Sequence, residues 1–326
     1  YLAVVTKTGA LETGIKVLIK KLKGKELVLI PILMFIFSIG GTTYGMLEET
    51  VGFYALLSAT MVAAGMDTIV ASATILLGAG VGVLGSTINP FAVGAAIDAL
   101  PDGIAVNQGV IIAIGVALWI SSYVIATLFV MRYAKKVKKN KGSTFLSLQE
   151  QKAMENKYGE EEIEDNVKLS GKQKVNGFSE KETVDTIIDG ADDMISVAFV
   201  IAVARGVSVL MGITHFDNYI IYNAAEWLKD MPAILYAPCN YLLHIVLSIL
   251  VPSSSGIASL STPIMGPLTN QLGFSVETSI MIMVAANGLV NLITPTCGAI
   301  MGGLAVARVE YSTWFKWAFR LILYLA

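Results

Sequence analysis

The stretch "GGTTYGMLEET", residues 40–50, decides how this chain is read. It follows the apolar run "VLIPILMFIFSI" and precedes another, "VGFYALLSATMVAA". Between them lie two glycines, two threonines, a tyrosine and two adjacent carboxylates, Glu48 and Glu49. A helix that stops inside a membrane leaves carbonyls and amides without partners, and each is costly in hydrocarbon unless a partner is found. Small residues let the chain turn at such a place, and their hydroxyls replace the lost hydrogen bonds.

The surroundings are those of a membrane. Of 326 residues, 55% are hydrophobic and 15% charged, against about 25% charged in soluble domains. No Lys or Arg occurs from Leu27 to Met131, where the only acids are Glu48, Glu49, Asp67, Asp98 and Asp102. From Met231 to Ala307 the only formally charged side chain is Glu277. One span takes about 20 apolar residues, so each region has room for several. The period-2 alternation of a barrel is absent. The fold class is therefore an all-α polytopic membrane protein.

Three segments follow. Residues 1–131 form a first membrane region, opened by an amphipathic stretch with Leu11, Ile15, Leu18, Ile19 and Leu22 between lysines. Residues 132–185 read as a charged, solvated loop whose basic start, "RYAKKVKKNKG", marks the cytoplasmic side. Residues 186–326 form a second membrane region.

The two membrane regions share a pattern. "GGTTYG" is followed about 45 residues later by "GSTINP", and "VPSSSG" about 40 residues later by "TPTCG". Paired breaks at corresponding places point to a transporter site between inverted repeats. Exposed half-helix ends can hold ions: amino-terminal ends favour anions, carboxy-terminal carbonyls favour cations.

Other functions have less support. A net charge of −2 gives no field for nucleic acid. Cys239, Cys297, His215 and His244 have no metal-ligand spacing, no histidine stands beside a nucleophile, and "PSSSG" lacks a nearby base. Neither a resident cofactor, a metal site nor an enzyme is expected.

In order and spacing, "GGTTYGMLEET", "GSTINPFAVG", "ARG", "PSSSGIAS", "PIMGPL" and "NLITPTCG" resemble the YfcC-type carriers. These are grouped with the four-carbon dicarboxylate anaerobic carriers of the ion transporter superfamily, and arginine–ornithine exchangers are similar too. The resemblance implies two inverted repeats, each with a re-entrant hairpin and a discontinuous helix. These would form a transport domain moving against a scaffold, in a homodimer in the bacterial inner membrane. It places hairpins near 27–50 and 240–268, with tips at 40–45 and 253–256, and broken helices near 68–98 and 279–307. It also implies a longer protein, with more sequence before Tyr1 and near residues 176–177. Cys297 stands where the family pattern leads one to expect Ser.

The breaks nominate the site. The first turn supplies Gly41, Thr42, Thr43, Tyr44, Glu48 and Glu49, and the first broken helix Ser86, Thr87 and Asn89. The second turn supplies Ser253, Ser254, Ser255 and Gly256, and the second broken helix Asn291, Thr294 and Thr296. Intramembrane carboxylates are rare and usually functional, although a pair can also mark the end of a span. Bare glutamates suit a basic or zwitterionic amino acid, or a coupling Na⁺ or H⁺. A dicarboxylate carrier would use them for the ion alone. Arg205, isolated in an apolar run, reads as half of a structural ion pair, and Tyr44 either stacks on a ligand or packs beside the turn.

Overall fold

The computed structural model describes residues 25–159, 209–210, 213–229 and 231–326. Arg205 and the amphipathic stretch before Lys25 lie outside the described residues. Within them the chain is helical and has no strand.

The first region begins with α1 (Glu26–Tyr44). A turn leads through a 3₁₀ segment, Glu48–Phe53, into α2 (Tyr54–Ala63). Next comes α3 (Thr68–Leu84), then an irregular stretch, a π-helical turn at Pro90–Gly94 and the short α4 (Ala95–Asp98). The long α5 (Gln108–Lys139) follows, then α6 (Leu148–Tyr158). Past α7 (Phe216–Leu228) come α8 (Ala233–Leu250), α9 (Ser254–Gln271) and α10 (Val276–Val290). A second irregular stretch separates α10 from α11 (Gly298–Ala307), and α12 (Tyr311–Leu325) closes the chain. The starts of α8, α10 and α12 each lie a little over two hundred residues past those of α1, α3 and α5. Two described helices, α1 and α5, are long and apolar enough to cross a bilayer, and α3, α8, α10 and α11 are shorter apolar helices.

The core is built on α3, whose every residue is buried. Its glycines set the packing. A Cβ on Gly78 would lie 2.9 Å from Met34 Cα, and one on Gly82 2.2 Å from the Ser38 carbonyl. Both chains advance together between these contacts, so α1 and α3 are parallel and meet backbone to backbone, as small residues allow in membranes. α8 and α10 are parallel too, since Asn240 bonds Ser279 and, further along both, Asn291 bonds the Pro252 carbonyl. Between the halves the sense reverses. Gly80 faces Leu292 and Gly288 faces Leu84, so α3 and α10 are antiparallel.

Contacts between the halves are reciprocal. α11 packs on α2, α3 and the 3₁₀ segment, while α9 packs on α4 and the π turn. Gly303 of α11 makes room for the Tyr54 ring of α2, and Gly266 of α9 makes room for Leu100 just past α4.

The sequence reads 132–185 as a solvated loop, but the described part is docked. Asp67, the N-cap of α3, accepts hydrogen bonds from Val70 N–H (3.0 Å), Tyr133 Oη (2.6 Å) and Thr144 Oγ1 (2.6 Å). Burial holds its carboxyl above the ordinary value of 3.8 despite these donors. Glu150 of α6 is 4% exposed. It completes a capping box with Ser147 and accepts from Glu310 N–H (2.8 Å) and Thr313 Oγ1 (3.0 Å) at the start of α12. Tyr158 Oη donates to the Val306 carbonyl at 2.6 Å.

Candidate functional site

The first turn lies later than residues 40–45. Gly40 to Tyr44 stay helical, and Thr43 Oγ1 donates to its own Ile39 carbonyl at 2.6 Å. The helix ends where Gly45 takes φ 77°, a left-handed conformation that glycine adopts without strain. Gly45 N–H then bonds the Gly41 carbonyl, the single bond of an αL cap, and Met46 N–H bonds that of Gly40.

The end of α1 clasps the break after α3. Thr42, 1% exposed, donates from Oγ1 to the Gly85 carbonyl at 2.7 Å. Its own carbonyl accepts Thr87 N–H at 2.9 Å and Thr87 Oγ1 at 3.1 Å. Inside the break Ser86 donates to the Val83 carbonyl (2.6 Å) and accepts from Asn89 Nδ2 (3.0 Å). Asn89 Oδ1 accepts Phe91 N–H (2.9 Å). A Cβ on Gly45 would sit 2.8 Å from the Asn89 amide, so the turn rests against the break. Tyr44 is 54% exposed and meets Phe91 edge-on. Gly41 has a packing role, since a Cβ there would lie 2.1 Å from the Ala79 carbonyl.

The two carboxylates sit past the turn, on the 3₁₀ segment that packs on α11. Glu48 is exposed. Glu49 is half-buried and accepts Leu47 N–H at 3.3 Å. The first turn therefore touches the break of its own half and the half-helix of the other.

The second turn clasps the second break with carboxamides. Asn291 Nδ2 donates to the Pro252 carbonyl (2.9 Å) and to Asn287 Oδ1 (3.1 Å), and Ser254 Oγ donates to the same Oδ1 (2.8 Å). Ser253 caps α9 by accepting Gly256 N–H, and its hydroxyl lies 3.4 Å from that of Ser255. Thr294 and Thr296 pair at 2.7 Å, and Thr296 Oγ1 reaches the Ile249 carbonyl at 3.4 Å. The arms α8 and α9 are bridged by Tyr236–Thr269 (2.5 Å) and His244–Ser261 (2.6 Å), two pairs centred on the turn at Pro252–Ser253. α12 holds the carbonyls that open the break: Trp314 Nε1 donates to Leu292 and Tyr311 Oη to Ile293.

Asn287 escaped the sequence reading, although an amide four residues before Asn291 in "IMIMVAANGLVN" was a visible signal. The sequence shows no nucleophile beside His244, but the fold brings its Nε2 to 2.6 Å from Ser261 Oγ. Most of the nominated hydroxyls bond one another or nearby carbonyls. Asn291 Oδ1 differs: it is a buried acceptor with no hydrogen-bond partner among the described residues. Among the described residues no group of three or more His, Cys, Asp or Glu is placed to hold a metal ion.

An all-helical apolar core with two clasped chain breaks is compatible with a carrier. The chain belongs to the C4-dicarboxylate anaerobic carrier family, DcuC, whose profile matches residues 1–175 and 169–325. It is 28% identical over 364 residues to the Escherichia coli K12 protein named "Putative basic amino acid antiporter YfcC", covering 96% of this chain and 70% of that one. It is 26% identical over 362 residues to an uncharacterized protein of Haemophilus influenzae, covering 98% and 70%. No solved structure matches.

Proposed function

We propose that this carrier is a secondary active transporter of an amino acid, basic in kind, such as arginine or ornithine. It works in the bacterial inner membrane by exchange or by coupling to Na⁺ or H⁺. The carrying observation is the pair of carboxylates, Glu48 and Glu49, on the 3₁₀ segment that follows the first turn and packs on the opposite half-helix. Two glutamates repel a dicarboxylate and attract a guanidinium or ammonium group, and the free acceptor of Asn291 adds to that preference. The name carried by the E. coli relative points the same way.

Parallel α1/α3, parallel α8/α10 and antiparallel α3/α10 support two inverted repeats, with re-entrant turns at 45–47 and 251–253 and broken helices interrupted at 85–89 and 291–297. The clasped breaks move as one transport domain against a scaffold, in elevator fashion within a homodimer, and the basic end of α5 faces the cytoplasm.

The test is counterflow in proteoliposomes. Labelled arginine exchanges saturably against ornithine or lysine, whereas a channel would give linear conductance. Glu48→Gln and Glu49→Gln each weaken it about tenfold or more, the scale of losing a charged hydrogen bond. The family's description supports a second reading, a cation-coupled dicarboxylate carrier. Accumulation of labelled succinate without exchange of basic amino acids would establish that reading and end the first.

A further inference from the structure

α5 changes chemistry along its length without changing face. Ile125 and Leu128 are exposed on its outer side at 36% and 52%. Continuing at helical spacing, the same stripe reads Arg132, Lys135, Lys136 and Lys139, all exposed. The opposite side, Val130, Ala134 and Val137, is buried. Lys138 falls off the stripe and pairs with Glu26 at 2.7 Å. Among the described residues no acid pairs with the other four.

Two ordinary explanations cover only part of this. Cations at a helix carboxy-terminus complement the macrodipole, but the macrodipole does not ask for one face. A topology signal needs basic residues near the span, again on any face. Four like charges at i, i+3, i+4 and i+7 repel one another, and an apposed layer of anions relieves that repulsion. The unbroken passage from apolar to cationic side chains sets these charges at headgroup depth.

We infer that the Arg132–Lys135–Lys136–Lys139 face of α5 is a docking surface for anionic phospholipid headgroups. It rests on α5 crossing the membrane, and is independent of the transported substrate.

The full chain, reconstituted in phosphatidylcholine with and without phosphatidylglycerol, is extracted and its retained lipid counted by native mass spectrometry. Wild type retains phosphatidylglycerol preferentially, and high salt strips it. Lys135→Gln with Lys136→Gln weakens retention about 25-fold, from about fivefold per charge, and leaves Arg132, Lys138 and Lys139 to keep the topology. Lys138→Gln, off the stripe, and the paired Lys→Arg exchange both leave retention unchanged. Equal retention by wild type and the double Gln variant would overturn the inference. So would a variant that separates a dimer while keeping its lipid, which would make the face a protein contact, or displacement by inorganic phosphate beyond that by chloride at equal ionic strength. Should the double variant not fold, wild type decides: its melting temperature must rise in phosphatidylglycerol over phosphatidylcholine vesicles and lose that rise in salt.

Discussion

Thr42 carries more than its hydroxyl. Its side chain satisfies a carbonyl 43 residues away, and its own carbonyl accepts both donors of Thr87. Thr42→Val keeps the shape and removes the donor to the Gly85 carbonyl, leaving that oxygen buried without it, together with the 3.2 Å contact to Thr87 Oγ1. The expected cost is about 1–3 kcal/mol, read as a lower melting temperature in detergent. Transport falls as well, because the first turn and the first break are no longer tied. That a break existed was legible in "GGTTYG" and "GSTINP", since turn residues act locally. The identity of the carbonyl each threonine finds was not, since it depends on which helices lie side by side. The few-residue shift of the first turn has a local cause: Gly45, not Gly40 or Gly41, is the glycine that takes the left-handed conformation ending the helix.

At the scale of the element, α6 was the least legible. Its buried stripe is only Glu150, Met154 and Tyr158, four residues apart, within a polar sequence. A glutamate in such a stripe reads as solvated until its two partners on α12 are known. Asp67, which anchors the approach to α6, gives a prediction with a definite sign. Asp67→Ala removes a helix cap, worth about 1 kcal/mol, and strands two hydroxyl donors, so α6 loosens and the 140–159 segment is cut faster by protease. Because burial raises the Asp67 carboxyl, the folded state holds a proton that the unfolded chain releases. This contribution is complete below the ordinary value of 3.8 and is lost as pH rises through the raised folded value. Melting scans over that range should show wild type declining more steeply than Asp67→Asn, which has no proton to lose there.

Across the whole molecule, the halves interlock through two glycines with unequal neighbours. Opposite Gly303 a Cβ meets the Tyr54 ring at 2.2 Å, and that ring is rigid and fully buried. Opposite Gly266 it meets the tip of Leu100 at 2.5 Å, which can swing away. Gly303→Ala is therefore expected to cost about 1–3 kcal/mol and Gly266→Ala less, a ranking that paired melting curves check directly. The anchors of α6 bear on how the protein is made. Tyr158 and Glu150 find partners 148 to 163 residues further along the chain. A ribosome adding about 5–20 residues per second reaches them roughly seven to thirty seconds later. Through that interval α6 has only α2 and the Asp67 anchor to rest on, and a nascent chain that stalls before α12 presents Glu150 unseated to the cell's proteases.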